Sequence, residues 1–441
     1  MARRPGSGVV VTGIGLTTPV GCDPDEFFDA LCSCRSGIVR PPEDHPSAGL
    51  FEAVGLGPVL DPYTLLVRHE ARFVDRFLVL ALAAARDAMA DARLEVGRDV
   101  DPLRTAVVVS TGAGGLLTFE QQSIVRQSLG PLRVSAYLYP RFLPNMAAAR
   151  IAIEYGIQGY SSTIATACAA SAHAVAEALR LIRAGDADVV VCGGSESPLG
   201  PTGVAGFANA RALAEGWPDP REASRPFDLQ RNGFVLGEGA GILVVERADH
   251  ADGRGVAGYA DLLGWGATTD AYHTTAPHPD GTGAVQSMRR AIADAGLSPA
   301  DIDYVNAHGT STQRGDLAEA RAIRTVFGAA GPAVSSTKGC TGHLLGAAGV
   351  VEAAASILAI GRGVAPPTNN LHDPDPACDV DLIRKAPRPM GITAALSNSL
   401  AFGGHNVSLV FGPPTTGRVR HASVPAQPEQ PTQTEGNVTR R

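Results

Sequence analysis

The chain reads as a layered α/β protein made of two related halves, on three observations. Strand-like runs alternate with helical patterns through most of its 441 residues. Two Ala-rich helical segments open in the same Ser-Ser-Thr design, at 161–184 and 335–363. A second pair, Ala-Met-Ala-Asp-Ala-Arg-Leu (88–94) and Ala-Ile-Ala-Asp-Ala-Gly-Leu (291–297), precedes a strand-like run in each half.

The first strand falls at 9–15, where two arginines precede an apolar stretch whose β-branched and glycine content suits a buried strand better than a signal-peptide core. Further strands are expected at 106–110, 187–192, 241–246, 303–307, 394–397 and 406–411, with helices at 72–92, 169–184, 285–295, 317–327 and 350–360. Aligning Ser161 with Ser335 sets Cys168 opposite Gly342 and Ala169 opposite His343. If the halves pack about a pseudo-twofold axis, the two helix starts meet and Cys168 neighbours His343. The halves divide at 1–255 and 256–412, and the Pro/Gln/Thr-rich stretch 413–441 reads as a disordered tail.

A net charge of −7 gives no overall pull toward nucleic acid or an anionic membrane. Seven irregularly spaced cysteines argue against a disulfide framework and for a reducing, cytoplasmic setting. No run approaches the ~20 apolar residues of a membrane helix.

Cys168 stands where a β-branched stretch gives way to the Ala-rich helix. The helix dipole and unpaired N–H groups there favour a thiolate, and such a placement can lower a cysteine pKa from ~8.5 to ~3.5–7.5. Alone, it would more often be a small buried cysteine. His308 follows a strand in Asn-Ala-His-Gly-Thr-Ser-Thr (306–312), and His343 lies in Thr-Gly-His-Leu-Leu-Gly (341–346). Their joint appearance beside glycines raises both above structural histidines, and no zinc-type ligand spacing accompanies them.

Lys338 is one of only two lysines, against 35 arginines, so that position calls for a compact ammonium. Glu319 is its expected partner. The turn 397–406 exposes backbone amides, and one there, with the Cys168 N–H, can form an oxyanion hole. Leu-Gly-Glu-Gly-Ala-Gly (236–241) is rejected as a nucleotide loop because a strand follows it.

These motifs, from about residue 9 to 412, resemble the type II β-ketoacyl-acyl carrier protein synthases of the thiolase superfamily. The resemblance implies a thiolase-like fold, a duplicated five-layer αβαβα architecture. It implies that Cys168 takes an acyl chain from a phosphopantetheine arm while His308 and His343 polarise a malonyl thioester losing carbon dioxide. The enolate then attacks the acyl-Cys thioester, giving a 3-ketoacyl product two carbons longer. Lys338 with Glu319 would orient the histidines, and the Cys168 and Phe402 amides would hold the oxyanion. Thr310 and Thr312 match pantetheine-contacting positions, Phe402 a gate, and Phe207 and Ala113 the substrate pocket.

Ala401 replaces the glycine usual before the gate, and Ala113 a larger residue usual in fatty-acid elongating members. Both hint at a polyketide or polyene pathway. The resemblance also implies an acyl carrier protein partner docking on Arg68, Arg72, Arg133 and Arg211, and no tightly bound cofactor or metal. A dimer is implied, with itself or with a chain-length-factor-like homologue, Tyr137 or Leu138 reaching the partner's pocket. The rival readings are a scaffold subunit of that kind, a thiolase, and a malonyl-independent acyltransferase or cyclase of the same fold.

Overall fold

A computed structural model describes residues 8–66 and 68–415. Its principal elements, in chain order, are β1 (Val9–Thr17), α1 (Arg76–Asp91), β2 (Thr105–Ser110), α2 (Leu116–Leu129), α3 (Met146–Tyr155), β3 (Ser161–Ser162), α4 (Ala170–Ala184), β4 (Val189–Glu196) and β5 (Gly239–Arg247). There follow β6 (Ala260–Thr269), α5 (Thr282–Ala295), β7 (Tyr304–Asn306), α6 (Gln313–Phe327), β8 (Ala333–Ser335), α7 (Lys338–Thr341), α8 (Ala348–Arg362), β9 (Ala395–Ala401) and β10 (His405–Gly412).

The duplication is visible in the sheet. The first five strands lie in the order β1-β5-β4-β2-β3 and the second five in the order β6-β10-β9-β7-β8. From the inner strand outward, the pairings run antiparallel, antiparallel, parallel, parallel in both halves. The halves join along β1 and β6 through only the pairs Val10–Asp261 and Val11–Ala260.

The central strands are buried on both faces, and the core that each residue meets alternates with a period of two, as the pleat requires. Ala106, Val108, Val190 and Cys192 face a central core shared with α4 and α8, whereas Val107, Val109, Val189 and Val191 face an outer core under α1 and α3. In the second half Val305, Leu396 and Val410 pack outward against α5 and α6. The layers are therefore helix, sheet, helix pair, sheet, helix.

The two central helices explain the Ala-rich segments, since both are covered on two sides and need small side chains to approach each other. A Cβ on Gly349 would stand 2.8 Å from the Ala172 Cβ and 2.9 Å from its nitrogen. Each helix follows a 3-10 turn, Ala167–Ala169 and Leu345–Ala347, whose first residue is left-handed, at φ 49° for Ala167 and 46° for Leu345. Each closes on a left-handed glycine, Gly185 and Gly363. This equivalence corrects the alignment drawn from Ser161 and Ser335: Cys168 matches Gly346, not Gly342. The connection carrying α7 is longer in the second half and shifts the register.

Other boundaries also move. The helix expected from 72 starts at Arg76, because the Asp75 carboxylate accepts the Phe77 amide and caps it there. β6 was missed because Gly264 and Gly266 interrupt its pattern. Both glycines are needed, since their Cβ atoms would stand 2.4 Å from Ala295 N and 2.2 Å from Ser287 O of α5. The stretch Leu345–Arg362 is long and apolar enough for a membrane span, but 89% of it is buried between the sheets. Of the expected tail, Thr415 bonds Asp261 through its amide and hydroxyl, and 416–441 lie outside the described residues.

Filling the helix contact tests this packing. Gly349→Val is expected to cost about 1–3 kcal/mol through overpacking, read as a lowered midpoint in urea unfolding.

Candidate active site

A cavity of about 700 Å³ lies between the halves and is lined by Cys168, His308 and His343 together. Cys168 sits in the 3-10 turn ahead of α4, at 9% exposure. The left-handed Ala167 turns the chain sharply before it, so the thiol projects from the strand-to-helix bend. The backbone amides of Phe402 and of Cys168 itself reach the sulfur.

Burial pushes the Cys168 thiol up to about 12, with Lys338 and the two amides pulling down and Glu196 adding to the rise. This corrects the expectation of a depressed thiol: the helix start is present, but the thiol is buried, and desolvation of the anion outweighs it. The resting group is a thiol whose proton leaves as its sulfur reacts.

His308 and His343 meet edge to face, ring centroids 5.2 Å apart. Burial, with the charge of Lys338, holds both imidazoles well below their ordinary range, so both are neutral at neutral pH. The His343 main chain is fixed by its amide donating to Val235 O at 2.7 Å and its carbonyl accepting from Gly237 N at 2.9 Å.

Lys338, 1% exposed, opens the short helix α7. Its ammonium donates to the His308 carbonyl at 2.5 Å, lies 3.4 Å from His308 Nδ1, and pairs with the carboxylate of Glu352. Glu352, not Glu319, is the salt-bridge partner. Burial raises the Glu352 carboxyl to about 7 while Lys338 opposes the rise. Glu319 instead accepts the His308 and Gly309 amides, both at 2.8 Å, and the Asn398 side-chain amide at 3.2 Å. One buried carboxylate therefore shapes the turn carrying His308, and another neutralises the lysine beneath it. Glu352 was missed although it is the lone charge within the apolar run 350–360.

Thr310 and Thr312 line the cavity with their hydroxyls 3.0 Å apart, and Thr312 also caps α6 through Gly315 N. Ala113 and Phe207 line the wall. Phe402, 37% exposed, stands at the end of an aromatic row in which Phe402–Phe207, Phe207–Phe234 and Phe234–His343 centroids lie 6.4, 5.5 and 5.4 Å apart. Ala401 has φ −125°, so its Cβ carries no penalty in this conformation; Gly403 and Gly404, at φ 84° and 75°, take the left-handed positions.

Of the docking set, the Arg68 side chain lies outside the described residues. α-Helical backbone covers Arg68–Ala71, and exposed Arg72 lies just past its end. Arg133 and Arg211 are exposed, and among the described docking residues only Arg211 lines the cavity. Tyr137 stacks on Phe73 at 4.3 Å; neither it nor Leu138 lines this chain's own cavity. In the rejected glycine-rich segment, Glu238 binds Arg76 and a strand, β5, follows directly.

A thiol at a helix start facing two neutral imidazoles over a buried lysine defines a thiolase-fold condensing enzyme. Residues 7–251 match the family model for the β-ketoacyl synthase N-terminal domain and 259–372 that for the C-terminal domain. The chain belongs to the β-ketoacyl synthase family and is a condensing acyltransferase. It is 42% identical over 413 residues to the 3-oxoacyl-[acyl-carrier-protein] synthase 2 of Synechocystis sp., covering 93% of this chain and 99% of the relative. Among solved structures, the ishigamide ketosynthase/chain length factor superposes with a TM-score of 0.86 at 33% identity, covering 93% and 99%. A type II polyketide synthase acyl-carrier protein in complex with its ketosynthase bound to the hexaketide gives 0.84 at 33%, covering 92% and 99%.

Removing one partner of the buried ion pair leaves a charge without compensation. Glu352→Leu is expected to cost about 3–5 kcal/mol in urea unfolding, and Lys338→Met with Glu352→Leu to recover most of that loss.

Proposed function

We propose that the chain is a β-ketoacyl-acyl carrier protein synthase that extends a Cys168-bound acyl chain by decarboxylative condensation with a malonyl thioester. The observation that carries this reading is the convergence of Cys168, His308 and His343 on one cavity between the halves. Cys168 attacks the incoming acyl thioester, its proton passing to the departing thiol, and the Phe402 and Cys168 amides hold the tetrahedral oxyanion. Neutral His308 and His343 then donate hydrogen bonds to the malonyl thioester carbonyl as carbon dioxide leaves. The enolate carbon attacks the acyl carbonyl, the C–S bond breaks, and Cys168 departs as thiolate, which takes up one proton from solvent to replace the one that left with the first carrier thiol. Glu319 and Lys338 position the turn of His308, while Thr310 and Thr312 receive the pantetheine arm.

The carrier is an acyl carrier protein, as in the names of the relatives, and Arg211, which lines the cavity, is the best placed of the docking arginines. The dimer reading is supported by exposed apolar side chains around α2, including Ile124, Leu129 and Leu132 at 57, 64 and 97% exposure, and a cytoplasmic setting follows from the same substrate class. The higher identity to the Synechocystis enzyme favours fatty-acid-type elongation. A specialised polyketide or polyene pathway is the second reading, favoured by small Ala113 on the cavity wall.

Intact-protein mass spectrometry after incubation with acyl carrier substrates should show one acyl adduct on the wild type and none on Cys168→Ala; an unchanged adduct on the variant contradicts the assignment. Ala113→Phe is expected to shift preference toward shorter chains, seen in kcat/KM across graded lengths. Malonyl decarboxylation should stay flat as pH falls from 8 through ~6.5, where an ordinary imidazole would gain its proton, and decline only below. An inflection near 6.5 would show the imidazoles to be ordinary.

A further inference from the structure

Glu196 ends β4, is fully buried, and lines the cavity beside Cys168. None of the chemistry above uses it. Its Oε2 accepts the Gly112 amide at 2.6 Å and the Gly346 amide at 3.0 Å; its Oε1 accepts the Thr111 hydroxyl at 2.9 Å and the Ala113 amide at 3.1 Å. A carboxylate has about four lone-pair sites, so these partners saturate it without a cation among them.

The partners come from both halves. Thr111, Gly112 and Ala113 form the turn after β2, which walls the cavity where Leu116 and Phe207 also stand. Gly346 is the middle residue of the 3-10 turn ahead of α8 and is the counterpart of Cys168. It lies three residues beyond His343. The packing allows no slack: a Cβ on Gly112 would stand 2.7 Å from the Glu196 Oε2, and one on Gly346 would stand 2.5 Å from it and 2.4 Å from Gly112 N. Glu196 thus repeats for the wall turn what Glu319 does for the His308 turn, gathering consecutive amides on a buried carboxylate.

We infer that Glu196 is a positioning residue that ties the acyl-pocket wall at Thr111–Ala113 to the His343 loop at Gly346, and so sets how the cavity discriminates acyl-chain length. The inference rests on the proposed acylation of Cys168. Short chains end before the wall and long chains lie against it, so loosening the tie weakens binding of long chains selectively. A hydrogen bond to a charged group is worth ~1.5–3 kcal/mol, so losing one moves an affinity by on the order of ten-fold or more.

Glu196→Gln turns an amide NH₂ toward main-chain donors, and Thr111→Val removes one donor while leaving the carboxylate in place. For both variants the test is kcat/KM of Cys168 acylation from carriers bearing acetyl and long acyl groups, with the wild type alongside. The ratio of long-chain to acetyl kcat/KM is expected to fall on the order of ten-fold in Glu196→Gln and by a smaller factor in Thr111→Val, through a raised KM for the long chain. Equal losses for both chain lengths, marking a merely structural role, would overturn the inference, as would ratios unchanged in both variants. Failure of the wild type to acylate at Cys168 would instead overturn the functional reading beneath it.

Discussion

The close approach of two small-residue helices at the centre of the molecule is the constraint on which the site depends. α4 and α8 can touch only because Gly349 meets Ala172 without a side chain. That contact brings the two preceding 3-10 turns together and sets Cys168 opposite Gly346. The first half supplies the sulfur at its turn. The second keeps glycine at the matching position and places its imidazoles on the flanking segments, so the duplicated frame serves two different chemical tasks.

The electrostatics follow from the burial that this packing creates. Desolvation neutralises the imidazoles and disfavours a free thiolate, so the resting site holds little charge apart from Lys338 and the carboxylates that organise it. Burying an ammonium with its carboxylate is costly unless the remaining donors are used, and Lys338 uses them on the His308 carbonyl and ring. The lysine therefore fixes the imidazole from behind and helps keep it unprotonated.

Much of this was legible before any coordinates. Cys168, His308, His343 and Lys338 were read from motifs and composition because each stands beside glycine or at a strand-to-helix change, features written locally in the chain. The duplication was legible through the Ser-Ser-Thr segments, yet its register was not, because the inserted α7 changes the count between strand and helix. The partner of Lys338 was misassigned to Glu319 because Glu352 sits inside an apolar helical run, and only tertiary packing brings it to the ammonium. Glu196 was invisible for a similar reason: its partners are amides from distant loops, which no residue pattern encodes. β6 was lost because its glycines, required by the close lie of α5, resemble a loop.

The central claim is that the two halves deliver separable functions to one chamber. It is tested most directly by measuring carbon dioxide release, acyl-enzyme formation and 3-ketoacyl product in parallel for Cys168→Ala and for His308→Ala with His343→Ala. The account predicts that the cysteine variant still releases carbon dioxide from the malonyl thioester but forms neither adduct nor product, while the histidine variant acylates at Cys168 and releases no carbon dioxide. Product formation by either variant, or carbon dioxide release that survives loss of both imidazoles, would contradict it.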